Sequence, residues 1–150
     1  MITFERVTEE NLYIAKEMMD SNSSYFDNEY GISKNREEVL KLLTPNQGDY
    51  LIKAEDTYIG LTAFMEHKEE QLVTINLMII HADYQGFGYG TTAYYELEDL
   101  FIKRGFKKTT LNVRSDNNRI KLFWERNGYT ASEQDTSNEK DRVHYEKHLV

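Results

Sequence analysis

Residues 71–92 constrain this chain more than any other stretch. Val73, Ile75, Leu77 and Ile79 occupy alternate positions, with Leu72, Thr74, Asn76, Met78 and Ile80 between them. That spacing predicts a strand over 71–81, apolar on one face and mixed on the other. Such a strand belongs in the middle of a sheet with cover on both sides. It runs through His81-Ala82-Asp83-Tyr84-Gln85 into three glycines at alternate positions, Gly86, Gly88 and Gly90. Ala93, Tyr94, Leu97, Leu100 and Phe101 then follow at helical spacing, with Gly105 placed as the C-cap. Glycines let the backbone turn tightly and let a bulky anion approach its amides. The first N–H groups of the helix lack intrahelical partners and carry the positive end of its dipole. Together they make a phosphate cradle. A glycine-rich connection that only redirects the chain has the same composition, so the flanks must decide.

Two common nucleotide loops do not fit. A Walker A loop ends in Gly-Lys-Ser/Thr, and Gly90-Thr91-Thr92 has no lysine. A dinucleotide fingerprint needs G-x-G-x-x-G inside an early βαβ unit. Here the spacing differs, and hairpin-like strands precede the loop.

The remaining patterns describe one domain over 1–150, a length that supports a single core. Thr8 is placed to cap a helix carrying Leu12, Ala15, Met18 and Met19, with Glu9 and Glu10 in its first turn. Residues 21–32 read as a polar, aromatic loop. Asn35 and Glu38 form a capping-box pattern before Val39, Leu40 and Leu43, and Thr44-Pro45 stops that helix. Strands are expected over 50–55 and 58–66, joined by Glu55-Asp56-Thr57, and over 109–113. Asp116 or Asn117 caps a helix with Ile120, Phe123 and Trp124 on one face and Gly128 at its end. Closing strands are expected over 129–132 and 142–149. The order is αα-βββ-α-β-α-ββ, a mixed α/β (α+β) domain.

Composition narrows the chemistry. There is no cysteine, which excludes disulfides, thiol nucleophiles and thiolate-bound metals. The four histidines offer no helical pair at metal-binding spacing, so no metal is expected. No apolar run is long enough to span a membrane. Met1-Ile2-Thr3-Phe4-Glu5-Arg6 lacks the order of a signal peptide, so a cytoplasmic protein is expected. A net charge of −8 argues against nucleic-acid binding. That charge is uneven: residues 1–75 carry 15 acids and 7 bases, whereas 76–150 carry 11 of each. Eight bases fall in 103–126 beside only Asp116 and Glu125. One end of the chain favours a cation and the other an anion.

Gln85-Gly86-Phe87-Gly88-Tyr89-Gly90 resembles the Gln/Arg-x-x-Gly-x-Gly/Ala signature of the GNAT superfamily of N-acetyltransferases. The run from Asn117 through Trp124 to Gly128-Tyr129 is similar to that family's later Asn-helix-Gly-Phe segment. The element order agrees along nearly the whole chain. The resemblance implies a GNAT-type, mostly antiparallel twisted sheet with helices on both faces. It implies acetyl-CoA as co-substrate, its pantetheine arm bonded by the backbone of Met78, Ile79 and Ile80 in a splayed strand. The amides of Gln85, Gly86, Phe87, Gly88, Tyr89, Gly90 and Thr91 would hold the pyrophosphate. Asn117 matches an Asn that contacts the cofactor arm; a plain helix cap is the alternative, and the two roles are compatible.

The implied reaction moves an acetyl group to a primary amine by direct attack in a ternary complex, with no acyl-enzyme. A backbone N–H at Ile79 or Ile80 would polarise the thioester carbonyl. The sequence departs from the family at one place. Trp124 stands where many members carry a Tyr that protonates the leaving thiolate, and an indole N–H is far too weak an acid. Tyr129, at the terminal Phe position, is then the candidate acid, against a plain core aromatic. Glu66, at a strand end, is the candidate base, with Asn76 a second group that orients a water. By resemblance the acceptor cleft includes the loop bearing Tyr25, Asp27 and Glu29. Its aromatics and carboxylates suit a small cationic amine, or a lysine or N-terminal amine. A homodimer through the C-terminal strands is also consistent with the family. The alternative reading is a GNAT-fold domain that binds CoA or acyl-CoA in a regulatory, non-catalytic role.

Overall fold

The computed structural model describes residues 1–24, 48–132 and 141–149. Among these the strands are β1 (Ile2–Arg6), β2 (Asp49–Ala54), β3 (Thr57–His67), β4 (Leu72–Ile80), β5 (Lys108–Arg114), β6 (Thr130–Ala131) and β7 (Arg142–His148). The helices are α1 (Leu12–Ser21), α2 (Tyr89–Lys103) and α3 (Asn118–Arg126), with a 3-10 turn at Ala82–Tyr84. The strands form one seven-stranded sheet in the order β1-β2-β3-β4-β5-β7-β6. Pairs β1/β2, β2/β3, β5/β7 and β6/β7 are antiparallel, and β4/β5 is parallel. The mixed, mostly antiparallel α/β class expected from the sequence is the one observed.

Two local expectations need correction. The chain opens with a strand, not a helix. Ile2-Thr3-Phe4-Glu5-Arg6 is a five-residue edge strand with Ile2 buried, Arg6 exposed and Glu5 half-buried, accepting from the Tyr58 hydroxyl. So short an alternation ending in two charged residues carries little periodic signal, although charges are common on edge strands. Helix α1 also begins later than Thr8. Thr8 and Asn11 bond each other's backbone N–H with their side chains (2.7 and 3.4 Å), and Asn11 Nδ2 donates to Arg6 O at 2.9 Å. This closed turn occupies residues 8–11, so Asn11 is the N-cap and Glu9 and Glu10 precede the helix. The second predicted helix, over 35–43, lies outside the described residues.

The chain divides into two compact units, Met1–Phe64 with Leu77–Leu97, and Met65–Asn76 with Glu98–Val150. In the first unit, Ala15, Met18 and Met19 of α1 pack on Leu51, Leu61, Ala63, Leu77 and Ile79. Ala93 of α2 joins Ile52 and Ile59, with Met78 and Ile80 against that cluster. Since side chains alternate along β4, the two helices cover opposite faces of these strands. In the second unit Val73, Leu111, Val113, Trp124, Tyr129 and Tyr145 are buried. β4 meets β5 there through Leu72↔Lys108, Val73↔Thr109 and Thr74↔Thr110, and β4 continues past the last of these to Ile80.

Candidate active site

The first unit builds its site from main chain. His81 N–H donates to Ile59 O at 2.7 Å, and Leu77 O accepts from the Thr62 hydroxyl at 2.9 Å. The carbonyl of Ile79 also faces β3, so close that a Cβ added at Gly60 would lie 2.4 Å from it. Residues 77, 79 and 81 therefore turn their backbone groups towards β3. Strand alternation turns those of Met78 and Ile80 to the other edge. On that edge Ile80 O accepts from Gln85 Nε2 at 2.8 Å and from Asn22 Nδ2 at 3.0 Å. Of the two amides read as candidates to polarise a carbonyl, Ile80 N–H turns away from β3 and Ile79 N–H does not.

The chain then makes its 3-10 turn, with the His81 ring accepting from Asp83 N–H at 3.1 Å. Gly86 (φ 86°) and Gly88 (φ 85°) follow in the left-handed region. Among the described residues nothing lies within 4 Å of where a Cβ would stand at either. The loop is thus shaped by conformations that favour glycine and opens onto free space at the start of α2. Phe87 between them is exposed. Thr92 closes the first turn of α2, its N–H and hydroxyl both reaching Gly88 O at 3.1 Å.

In the second unit the candidate side chains are engaged elsewhere. Tyr129 is buried, and its hydroxyl lies 2.7 Å from the Thr109 hydroxyl. Trp124 is buried edge-on to Phe123 and Tyr129, with ring centroids 5.0 and 5.1 Å apart. Asn117 caps α3, its Oδ1 accepting from Ile120 N–H at 3.3 Å. Glu66 is ion-paired with Arg104. Tyr145 donates to Glu125 at 2.9 Å, and burial together with that carboxylate pushes its pKa up to about 12. Tyr25, Asp27 and Glu29 lie outside the described residues. No group of three or more His, Asp or Glu able to hold a metal occurs among the described residues. No described helix is long and apolar enough to cross a membrane.

A sequence profile of the Acetyltransferase (GNAT) family matches residues 15–129. The chain belongs to the GNAT acetyltransferase family. Solved structures agree on the GNAT fold. An acetyltransferase from Thermus thermophilus is 18% identical, with a TM-score of 0.80 over 99% of this chain and 97% of that one. The PaiA N-acetyltransferase from Thermoplasma acidophilum, solved in complex with coenzyme A, is 17% identical, with a TM-score of 0.75 over 99% of both chains. A GNAT-family acetyltransferase from Staphylococcus aureus Mu50 is 14% identical, with a TM-score of 0.73 over both whole chains. No curated protein matches the chain by sequence.

Within this GNAT acetyltransferase, sequence reading located the loop but missed what holds it. Gln85 turns its side chain back to Ile80 O and Asn22 Oδ1, both at 2.8 Å, rather than into the loop. Asn22, Thr62 and Gly60 carry no motif. Their roles come from distant strands and helices meeting, which one-dimensional spacing does not express.

Proposed function

We propose that this chain is an N-acetyltransferase that carries an acetyl group from acetyl-CoA to a primary amine by direct attack in a ternary complex. One observation supports it most: Gly86 and Gly88, both at positive φ with open space at their Cβ positions, lead into α2 beside the free edge of β4. This loop fits a diphosphate, which needs closely approachable N–H groups and a helix N-terminus. Gln85 through Thr91 would bind it. Met78 and Ile80 would pair with the pantetheine arm by the edge groups they present. We read 1–150 as one transferase domain, because the family match over 15–129 draws on both compact units.

The bound co-substrate supplies a thioester carbonyl. In this reading a main-chain N–H that β4 turns away from β3, at Met78 or Ile80, donates to that oxygen and stabilises the charge developing on it. The amine lone pair forms the new C–N bond, the C–S bond breaks, and the thiolate departs. Holding both reactants in one place supplies much of the rate. The amine's proton passes to water, and so does the task of protonating the thiolate. Tyr129 is committed to Thr109 and Trp124 is no acid. Glu66 serves as base only if it leaves Arg104. The acceptor class we favour is a small cationic amine, or a lysine or N-terminal amine, drawn to Tyr25, Asp27 and Glu29 and to the acidic first half of the chain. A cytoplasmic homodimer is compatible with this reading.

The buried Trp124 in the acid's place keeps one other reading: a CoA-binding regulator without turnover. Thiol release from acetyl-CoA separates the two, measured with polyamines, an aminoglycoside, and peptides bearing lysine or a free N-terminus. Release with one of these classes is the expected result. Calorimetric CoA binding with no release on any amine favours the regulator, and no CoA binding at all overturns both. Unchanged amine binding in Asp27→Asn and Glu29→Gln would remove the proposed acceptor loop.

A further inference from the structure

We propose that two copies of this chain associate by laying α1 of one antiparallel on α3 of the other. The two helices carry one spacing pattern with every charge inverted. At α1 it reads Glu10-x-x-Tyr13-x-x-Lys16-Glu17, and on α3 Arg119-x-x-Leu122-x-x-Glu125-Arg126. Glu10 stands in the turn just ahead of α1, and the other seven residues lie within the two helices. All eight are exposed, Tyr13 by 70% and Leu122 by 46%. At 3.6 residues per turn the four positions on α3 fall within about 120° of one face, along a strip about 10 Å long.

Neither strip satisfies its own charges. Side chains that meet on a helix are three or four positions apart, and Arg119 and Arg126 have Leu122 and Phe123 at those distances. Among the described residues Glu10, Lys16, Glu17, Arg119 and Arg126 form no hydrogen bond or ion pair. Glu125 gives Oε2 to the Tyr145 hydroxyl, and Lys121, one turn back, donates to Ser115 O at 3.3 Å instead of pairing with it. Arg119 is the worst placed. It stands in the first turn of α3, at the positive end of the helix dipole, with no acid in that turn. An anion brought from outside the chain relieves it. Laid antiparallel, Glu17 meets Arg119, Glu10 meets Arg126, and the Tyr13 ring covers Leu122. Lys16 and Glu125 then share one flank of the pair, whereas a parallel arrangement turns Lys16 towards the arginines. A second copy is the occupant because the complement of each strip lies on this same chain. The acidic first half of the sequence holds α1 and the balanced second half holds α3, so the long-range field favours this approach.

The test is sedimentation equilibrium of the full chain, with circular dichroism to confirm folding. The wild type should gain mass with concentration in about 20 mM salt, and its association constant should fall at least about tenfold in about 0.5 M salt. Glu17→Arg and Arg119→Glu should each lower the low-salt constant by about tenfold or more, since each sets like charges opposite one another. The chain carrying both changes should recover it, because the same contact is rebuilt with its signs exchanged. The chain carrying Glu17→Arg with Arg126→Glu should not, because those two positions do not meet. If a variant at Glu17 or Arg119 fails to fold, Glu10→Arg and Arg126→Glu, singly and together, make the same comparison. A wild type that stays monomeric at every concentration overturns the inference. So does an association that the single reversals leave unchanged, or one that the exchanged pair does not restore.

Discussion

The loop at 85–91 and the segment at 117–129 carry the two motifs that tie this chain to its family, and they work in opposite ways. In the loop the main chain is on offer: two glycines at positive φ, with nothing among the described residues within 4 Å of their Cβ positions. Its polar side chain, Gln85, is spent on holding that backbone in place. In the later segment the polar side chains are consumed by packing and capping. Asn117 caps α3, Asn127 Nδ2 donates to Phe123 O at 2.8 Å, Glu125 accepts from Tyr145, and Tyr129 meets Thr109. If catalysis relies on backbone donors, as proposed, a tryptophan is tolerated where a phenol is common.

The sharpest way to break that contrast uses two glycines with the same backbone. Gly88 (φ 85°) and Gly105 (φ 89°) both have open space at the Cβ position. Alanine at either costs about 1 kcal/mol of stability through its left-handed conformation. Only at Gly88 does the methyl enter the space assigned to the diphosphate. Gly88→Ala should weaken CoA binding by about 100-fold, or ~2.7 kcal/mol, and Gly105→Ala by less than about twofold. Equal effects on calorimetric affinity would mean that the loop matters only for folding.

Tyr129→Phe comes next. It should lower the free energy of unfolding by about 1–2 kcal/mol, since the buried Thr109 hydroxyl loses its partner. Turnover should stay within about twofold, because a phenol held at that position is structural; a tenfold fall in kcat would make Tyr129 the acid after all. Tyr145 gives the same region a pH signature. Its folded pKa is raised from 10 to about 12, so the folded state holds the phenolic proton more tightly than the unfolded chain. The stabilisation is whole below about pH 10 and is lost as the pH climbs through about 12. The difference between wild-type and Tyr145→Phe denaturation midpoints should be constant from pH 7 to about 9 and shrink above that. Asn117→Ala should cost about 1 kcal/mol as a lost helix cap. A CoA affinity that falls with it would give Asn117 both of its proposed roles.

How much of this was legible beforehand follows from the kind of interaction involved. The glycine loop, the strand before it and the helix after it are written in local spacing, so β4 and α2 fall within one or two residues of their predicted bounds. Asn117 was recognisable as a cap because its partner, Ile120, is three residues away. The roles of Asn22, Thr62 and Gly60 are set by contacts with residues 77–85, which a spacing pattern does not register. The same applies to Glu66. A carboxylate at a strand end looks available until the fold brings Arg104 to it, 38 positions along the chain.

Glu66 therefore supplies the smallest expected effect and the finest test of the contrast between main chain and side chain. The pair with Arg104 is partly exposed, with side chains 23% and 34% accessible, so Glu66→Gln should change stability by no more than about 0.5 kcal/mol. If water takes the amine's proton, kcat should stay within about threefold and its pH profile should keep its shape. A true base would show a fall of at least 100-fold, because general bases contribute about 10²–10⁴ in rate. Arg104→Ala separates the two further. Freed from its partner, a catalytic Glu66 would gain activity in that variant, whereas a carboxylate that only anchors the strand end would leave turnover where it was.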